Sequence, residues 1–404
     1  MSRHVARRSP IIQLAVAALP ITAAAWLASP ASAQAPPPRR VEVTGVPALN
    51  FDADEGTGYG VVLAAYGYDG ADKAYRWTLQ PTVFLTTEGR RDYTLFYDMP
   101  ARSDRPYRYT AFVGREQQLA APYYGIGNDT PYDPTLEGGG TRYFYRYGRD
   151  RLRAAFDLQR TVGVRALRVL AGGGASSDRI DLTPFDSGTT LIAQQLGGET
   201  PSVGHTNYLR VGITWDTRDR EIGAHSGTWA DFLVQRVDAR LGASSSYTRW
   251  TATARHYLPV GDRLTLANRV SLQNTLGDAP FYVLADLQTT QTSQDGIGGA
   301  SSIRGLPKDR YVGKGMLLSN NELRWRALDF GMLGRPSSLV LSGFADAGRV
   351  WSDGVELSSA LAQLHVGVGA GVRLAFGSSF VIATDVGHSS QSTAPVYVGL
   401  GYLF

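Results

Sequence analysis

The chain ends in the stretch APVYVGLGYLF, residues 394–404, and this stretch decides the fold class. Successive side chains of a β-strand point to opposite faces, so residues two apart share a face. One face of this stretch is apolar or aromatic throughout, and it carries Val396, Val398, Leu400, Tyr402 and Phe404. Such a strand is typical of a β-barrel whose outer face meets lipid and whose last side chain lies in an interfacial aromatic girdle. A terminal strand of a soluble sandwich is the alternative.

The opposite end of the chain has the pattern of a secretory signal peptide, residues 1–33. A positive head is followed by an apolar stretch and by a small-residue cleavage site that ends at Ala33. The head carries Arg3, Arg7 and Arg8. An uncleaved anchor is the alternative, but Pro20 interrupts the apolar stretch. Beyond this segment the sequence has no apolar run long enough for a transmembrane helix.

The amino-acid composition excludes several kinds of partner and site and favours a β-rich protein. Subtracting the three arginines of the head from 40 basic residues leaves 37 against 36 acidic residues, so the exported chain is close to neutral. A nucleic-acid partner is therefore not indicated. The chain has no cysteine, which excludes disulfide scaffolds, thiolate metal sites and thiol catalysis. The 46 glycines and 21 tyrosines favour strands and turns over helices.

Alternation of apolar and polar side chains recurs along the chain. Residues 364–376 place seven apolar side chains on one face and small or charged side chains on the other, and residues 208–216 and 249–258 repeat the pattern. Inward rows of arginine and aspartate would line a wet lumen. At roughly ten residues per strand, the remaining chain accommodates on the order of sixteen strands. We therefore predict an all-β fold, a transmembrane antiparallel β-barrel with about sixteen strands.

The links between strands alternate in length. We predict short links at 259–263 and 377–379 and long, polar loops at 174–206 and 277–315. Short turns at one end and long loops at the other are typical of an outer-membrane barrel.

The domain organisation is simple. Residues 34–45 read as a Pro-rich linker and 46–404 as the barrel, whose first convincing strand begins near Tyr59. We expect no periplasmic domain between the signal peptide and the barrel.

Several short motifs carry a resemblance to a known family. In chain order they are YYGIGNDT at 123–130, WDTRD at 215–219 with Gly227, IRG at 303–305, NELR at 321–324 and GFADAGRVW at 343–351. Together they resemble the BamA/TamA outer-membrane barrels, also called the bacterial surface antigen superfamily. Leu306 departs from the aromatic residue that usually follows the Arg-Gly pair.

The resemblance implies a site inside the barrel. In relatives the long loop, here near 277–315, folds into the lumen, and the arginine at its tip pairs with inward carboxylates. The tip here is formed by Ile303, Arg304 and Gly305. Carried over, Arg304 pairs with Glu322 and Asp346, with Phe344 beside it. Alternation independently points both carboxylates inward. A solvated surface position for Arg304 is the alternative.

The resemblance also implies two further groups of residues. The family turn motif is formed by Asp216, Arg218, Asp219 and Gly227. The C-terminal signal that assembly machinery reads is formed by Val398, Leu400, Tyr402 and Phe404.

The function implied is insertion or translocation of protein, or of lipid, at the outer membrane of a Gram-negative cell. Larger relatives use periplasmic POTRA domains, so this short form would act with a separate periplasmic or passenger protein. Its other partners would be outer-membrane lipid and, during biogenesis, the barrel assembly machinery. The weak element would be the seam between the first and last strands, where Gly399 and Gly401 reduce side-chain packing. The alternative is that these glycines merely fit a crowded lumen. A passive pore or structural barrel is the second hypothesis.

An outer-membrane hydrolase is the third and least favoured hypothesis. Five histidines follow the signal peptide, and His388 precedes two serines, but none belongs to a nucleophile motif. We expect no catalytic residues and no cofactor. The carboxylates at Asp52, Asp54 and Glu55 read as a solvated turn rather than a metal site.

Overall fold

The computed structural model describes residues 41–52, 56–68, 75–102, 105–186, 188–196, 203–290, 295–332, 335–376 and 380–404. The predicted signal peptide, the first part of the linker and the short link at 377–379 lie outside these residues. Sixteen strands make up most of the described chain. They are β1 (Val41–Asp52), β2 (Gly56–Gly67), β3 (Trp77–Thr86), β4 (Arg90–Met99), β5 (Tyr107–Pro122), β6 (Arg146–Thr161), β7 (Leu167–Asp181), β8 (Val203–Asp216), β9 (Gly227–Val237), β10 (Tyr247–Pro259), β11 (Leu264–Gly277), β12 (Gly315–Met332), β13 (Arg335–Trp351), β14 (His365–Phe376), β15 (Phe380–Ser389) and β16 (Val396–Leu400).

The strands form one closed antiparallel ring in which each pairs with its neighbours in the chain and β16 returns to β1. The all-β fold and the count of about sixteen strands are thus confirmed. Two short helices, α1 (Leu191–Leu196) and α2 (Phe281–Leu284), lie in the links. Single 3-10 turns occupy Pro134–Glu137, Gly139–Thr141, Pro184–Asp186, Ala239–Leu241 and Leu357–Ser359. No helix among the described residues is long and apolar enough to cross a membrane.

The two faces of the ring differ in the way that the alternation predicts. In β8 the apolar row is exposed on the outside, with Leu209 at 61% and Trp215 at 43%, whereas Arg210 between them is buried in the lumen. Arg249, Thr251 and Thr253 of β10 are likewise buried inside. An apolar outer wall around a polar interior suits a barrel in lipid, because only a closed ring satisfies every backbone group there.

The links differ in length at the two ends of the barrel, and one of their predicted boundaries is wrong. The link predicted over 174–206 spans only 182–202, because β7 continues to Asp181 and β8 starts at Val203. Three consecutive glycines made this part of β7 look like a loop. The structure shows why they are there: a Cβ at Gly172 would lie within 2.5 Å of the Phe156 carbonyl and closer still to the Asp157 carboxylate.

The first strand was also misplaced. The strand that contains Tyr59 is β2, and β1 precedes it from Val41 to Asp52. The last five residues of the predicted 34–45 linker therefore belong to a strand, and Asp52 ends it rather than lying in a turn. Pro47 hid this strand, since proline cannot donate to a ladder and is confined to edges. Here it is tolerated because β1 is paired along its whole length only on the β2 side.

Candidate functional site: the lumen loop and its anchors

The described part of the link between β11 and β12, residues 278–290 and 295–314, folds into the lumen as predicted. Its tip is held by a cluster of fully buried apolar side chains. Those contributed by the loop are Leu287, Ile297, Ile303, Leu306 and Tyr311, and those from the wall are Met316, Leu318 and Val350. Leu306, which departs from the usual aromatic, is 2% exposed. A branched aliphatic side chain therefore takes the place of the usual aromatic in this apolar cluster. We call the part of the loop that folds into the lumen the plug.

Arg304 lies at the centre of the lumen with its side chain fully buried. Its Nε donates to Oδ2 of Asp346 at 2.8 Å and its Nη2 to Oδ1 at 3.0 Å, a bidentate pair. Its Nη1 donates to Oε1 of Glu322 at 2.7 Å. The guanidinium carbon lies 3.5 Å from the ring centroid of Phe344, a cation–π contact. The structure thus brings together the four residues that the resemblance had paired, and all are buried.

Asp385 of β15 is a third carboxylate that the sequence analysis missed. It accepts from Nη1 of Arg304 at 3.1 Å and from Nη1 of Arg373 at 2.5 Å. Arg324 completes the network by donating to Oε2 of Glu322 at 2.7 Å. Three arginines therefore face three carboxylates in a buried part of the lumen. Alternation along β15, which places Val381 and Asp385 inward, would have found this residue.

Gly305 joins the loop tip to the last two strands. Its N–H donates to the hydroxyl of Tyr397 at 3.1 Å, and its carbonyl accepts from the hydroxyl of Ser389 at 2.7 Å. Its φ is 107°, and a Cβ would lie 2.7 Å from the carbonyl carbon of His388. Only glycine fits this close approach. Tyr397 is also the residue of β16 that pairs with β1, so plug and seam share one side chain.

The family turn motif forms the link between β8 and β9. Arg218 makes a bidentate pair with Asp216, at 2.9 and 3.0 Å. The Oδ1 of Asp219 accepts from the backbone N–H groups of His225 at 3.0 Å and Ser226 at 3.2 Å, and Gly227 then begins β9. Burial raises the pKa of Asp219, but these hydrogen bonds outweigh it and leave that pKa below its ordinary value.

This turn folds inward and contacts the inner face of β5, three strands away from β8. Glu221 accepts from Arg108 of β5 at 2.9 and 3.2 Å, and Arg108 also holds Asp98 of β4 at 2.8 and 3.0 Å. Its depth in the barrel raises the pKa of Glu221, but Arg108 lowers that pKa by more, so it lies below its ordinary value. Between the turn and the lumen loop remains a polar cavity of about 250 Å³, lined in part by Arg168, Trp229 and these residues.

The C-terminal residues do not all lie where the alternation predicts. Val398 and Leu400 are on the outer face, but β16 ends at Leu400 and Gly401 turns the chain inward with a φ of 88°. Phe404 is only 8% exposed and packs on Tyr257 inside the barrel. Its backbone carbonyl accepts from Arg324 at 3.2 Å. The expected lipid-facing position of Phe404 is wrong, because a paired strand does not extend beyond Leu400.

Among known protein families, the one described as "Omp85 superfamily domain" matches residues 84–383 of this chain. This range covers most of the chain, from β3 to β15. The chain belongs to the Omp85 superfamily. The resemblance to BamA-type barrels is thereby confirmed, and barrels of this superfamily are outer-membrane proteins. A comparison with curated protein sequences gives no match.

Solved structures give the same fold. One is BamA from Haemophilus ducreyi lacking POTRA domains 1–3, with a TM-score of 0.57 and 14% identity over 90% of this chain and 70% of that chain. Another is CdiB from Escherichia coli, with a TM-score of 0.55 and 15% identity over 91% and 64%. CdiB from Acinetobacter baumannii gives 0.51 and 12% over 90% and 59%. The chain thus spans less than two thirds of either CdiB. At these identities the likeness concerns the fold alone.

Proposed function

We propose that this Omp85 barrel inserts or translocates protein, or lipid, at the outer membrane, and that it does so by opening the seam between β1 and β16. The observation that carries the proposal is the length of that seam. Within the residues that the structure describes, which do not include 53–55 beside the seam, β1 and β16 pair at one position, Asp52 with Tyr397. By contrast, β12 and β13 pair along almost their entire lengths. Each pair lost costs backbone hydrogen bonds, so this joint opens most easily.

Contacts inside the lumen support a lateral route over an axial one. The loop that carries Arg304 is held in the lumen by a fully buried network, and the β8–β9 turn is held inside the barrel by the part-exposed pair of Glu221 with Arg108. A solute moving along the axis would have to displace both segments. A client moving through the wall would need only the seam, whose Tyr397 already contacts the loop.

A reversible cross-link tests the proposal, because the chain has no cysteine of its own. The variant Asp52→Cys/Tyr397→Cys places a disulfide across the seam, and Val61→Cys/Val83→Cys places one across the β2–β3 pair as the matched control. Each barrel is reconstituted in liposomes, and folding of an added outer-membrane barrel client is followed by protease protection. We expect the reduced barrels to speed the folding of the client. Oxidation should abolish this effect in the seam variant only, and reduction should restore it fully. An oxidised seam variant that remains as active as its reduced form would refute a lateral route.

The second hypothesis, a passive pore, is separated by conductance. Deletion of residues 299–314 removes the tip of the plug. A pore gated by this loop would conduct after the deletion and would not respond to the seam disulfide.

Location and partners form the last part of the proposal. We propose export with cleavage near Ala33, assembly by the barrel machinery, and action with a separate periplasmic or passenger protein. N-terminal sequencing of the mature protein tests the cleavage site. Cross-linking in intact cells, with residues of the β8–β9 turn as the attachment points, tests for a periplasmic partner.

A further inference from the structure

Three arginines interrupt the apolar outer wall at the end of the barrel that carries the long loops. Arg91 lies on β4, Arg115 on β5 and Arg179 on β7, and all three are exposed. Two of the long links, residues 123–145 and 182–202, leave β5 and β7 at this end. We call this set, together with Asp150 of β6, the arginine row.

The strand register places the members of the row side by side. Arg91 is opposite Gln117, Gln117 is opposite Asp150, and Asp150 is opposite Arg179. Neighbouring strands lie about 4.8 Å apart, so the row extends about 14 Å across four strands. Arg115 is one outward position nearer the middle of the barrel and stands opposite Tyr93.

The row has an excess of positive charge. Arg115 donates to both oxygens of Asp150, at 2.9 and 2.5 Å. Arg91 and Arg179 make no ion pair within the part of the chain that the structure describes. Asp181 lies two residues beyond Arg179 on the same outward face of β7 and is exposed. Counting it with Asp150, three cations face two carboxylates and leave a net charge of +1 on a lipid-facing surface, where an uncompensated charge is costly. By contrast, Arg236, an exposed arginine of β9, is neutralised by Asp238 at 2.7 Å.

Apolar side chains lie directly below the row on the same strands. They are Leu95, Val113, Leu152 and Phe156, each more than one third exposed. Tyr93 lies at the boundary, at 49% exposure. On β8 the residue opposite Arg179 is the neutral, exposed Val203, and farther round the barrel Leu276 of β11 is also neutral and exposed. Cationic groups above an apolar strip match a molecule with an anionic head and acyl chains.

We propose that the arginine row binds the phosphate groups of an acylated, multiply phosphorylated lipid in the leaflet on the long-loop side of the membrane. Guanidinium groups are suited to this ligand because they pair with phosphate bidentately and are weakly hydrated. The head would contact Arg91 and Arg179, and the acyl chains would lie along Leu152 and Phe156. The inference rests on the outer-membrane location of the family and does not depend on what the barrel inserts or translocates.

Lipid retention after purification tests the proposal. The full chain is incorporated into nanodiscs with bisphosphorylated lipid A or with the same lipid A after phosphatase treatment, and bound lipid is counted by native mass spectrometry. The test variant is Arg91→Gln/Arg115→Gln/Arg179→Gln. The matched control is Arg160→Gln, an exposed outward arginine at the opposite end of β6. A heat-modifiable gel shift shows that each variant is folded.

We expect the parent and Arg160→Gln to retain the phosphorylated lipid at least tenfold more than the dephosphorylated one. A single substitution in the row should lower retention about fivefold, as one basic residue near a charged membrane surface does. Equal retention of the two lipids, or an unaffected triple variant, would overturn the proposal. Displacement of the lipid by millimolar inorganic phosphate would also overturn it, since the row would then be a site for free phosphate.

Discussion

At the scale of single residues, Arg304 is the contact through which the plug is held, because it faces Asp346, Glu322 and Asp385 together. Arg304→Ala leaves these carboxylates with too few cations in a buried site. Removal of one partner from a buried ion pair costs about 3–5 kcal/mol. We predict that protease will then cut within residues 299–314 of the folded variant and not of the parent.

Two comparisons make that result specific. Arg304→Lys should be cut at an intermediate rate, because lysine restores the charge but not the bidentate geometry. Arg236→Ala removes an exposed ion pair and should leave the loop protected, since surface pairs contribute little. Equal cleavage of parent and Arg304→Ala would mean that the network does not hold the loop in place.

Tyr397 offers a smaller change in the same network. Tyr397→Phe keeps the ring in the lumen but leaves the buried N–H of Gly305 without its hydroxyl acceptor, a loss of about 1–3 kcal/mol. We predict faster hydrogen exchange at residues 303–306 in this variant. Tyr402→Phe is the control, because the Tyr402 ring packs on Arg324 at 4.6 Å and the substitution retains that contact. Unchanged exchange at residues 303–306 in Tyr397→Phe would mean that the Tyr397 hydroxyl does not hold the loop tip to β16.

At the scale of elements, the β8–β9 turn should respond to acid. Asp219 and Glu221 both have pKa values below their ordinary ones in the folded protein. Their contribution is therefore complete above the unfolded pKa values of about 4 and is lost as the pH falls through the folded values. We predict that hydrogen exchange of residues 217–226, corrected for its intrinsic pH dependence, rises as the pH is lowered from 7 to below 4.

Variants at the turn test the cause of this loss. Glu221→Gln should already exchange faster at pH 7, and acid should add less to it. Glu88→Gln removes a carboxylate from an exposed pair with Arg142 and should behave like the parent. A turn whose exchange is independent of pH in the parent would show that these carboxylates do not hold it against β5.

The sequence predicts the elements of this barrel better than it predicts their ends. Alternation identifies β8, β10 and β14, because one face must meet lipid along the whole strand. It fails at β1, where Pro47 is tolerated beside an incomplete seam, and in β7, where glycines accommodate long side chains of β6 and β8. Arg304 and its first two partners follow from motif resemblance, whereas Asp385 lies in none of the motifs and follows only from the alternation along β15.

At the scale of the whole molecule, Phe404 would have two roles: the assembly machinery would recognise it, and in the closed barrel it packs inside the lumen. Its inward position depends on Gly401, and its ring lies 5.0 Å from the guanidinium of Arg324 and 6.3 Å from the ring of Tyr257. The alternation of side chains along a strand cannot predict this inward position, because the turn at Gly401 ends the strand. The aromatic that the assembly machinery would read as part of a strand is therefore packed in the lumen once the ring has closed.

Deletion of Phe404 and the substitution Tyr257→Ala separate these two roles. Both remove one side of the same lumen contact, and truncation of a buried aromatic costs about 3–5 kcal/mol, so both should lower the temperature of the heat-modifiable gel shift. Only the deletion changes the C-terminal sequence presented during assembly. We predict that the deletion lowers the outer-membrane level severalfold further than Tyr257→Ala while synthesis is unchanged. Equal levels would assign Phe404 to lumen packing alone, because an assembly signal cannot be lost by a substitution at Tyr257.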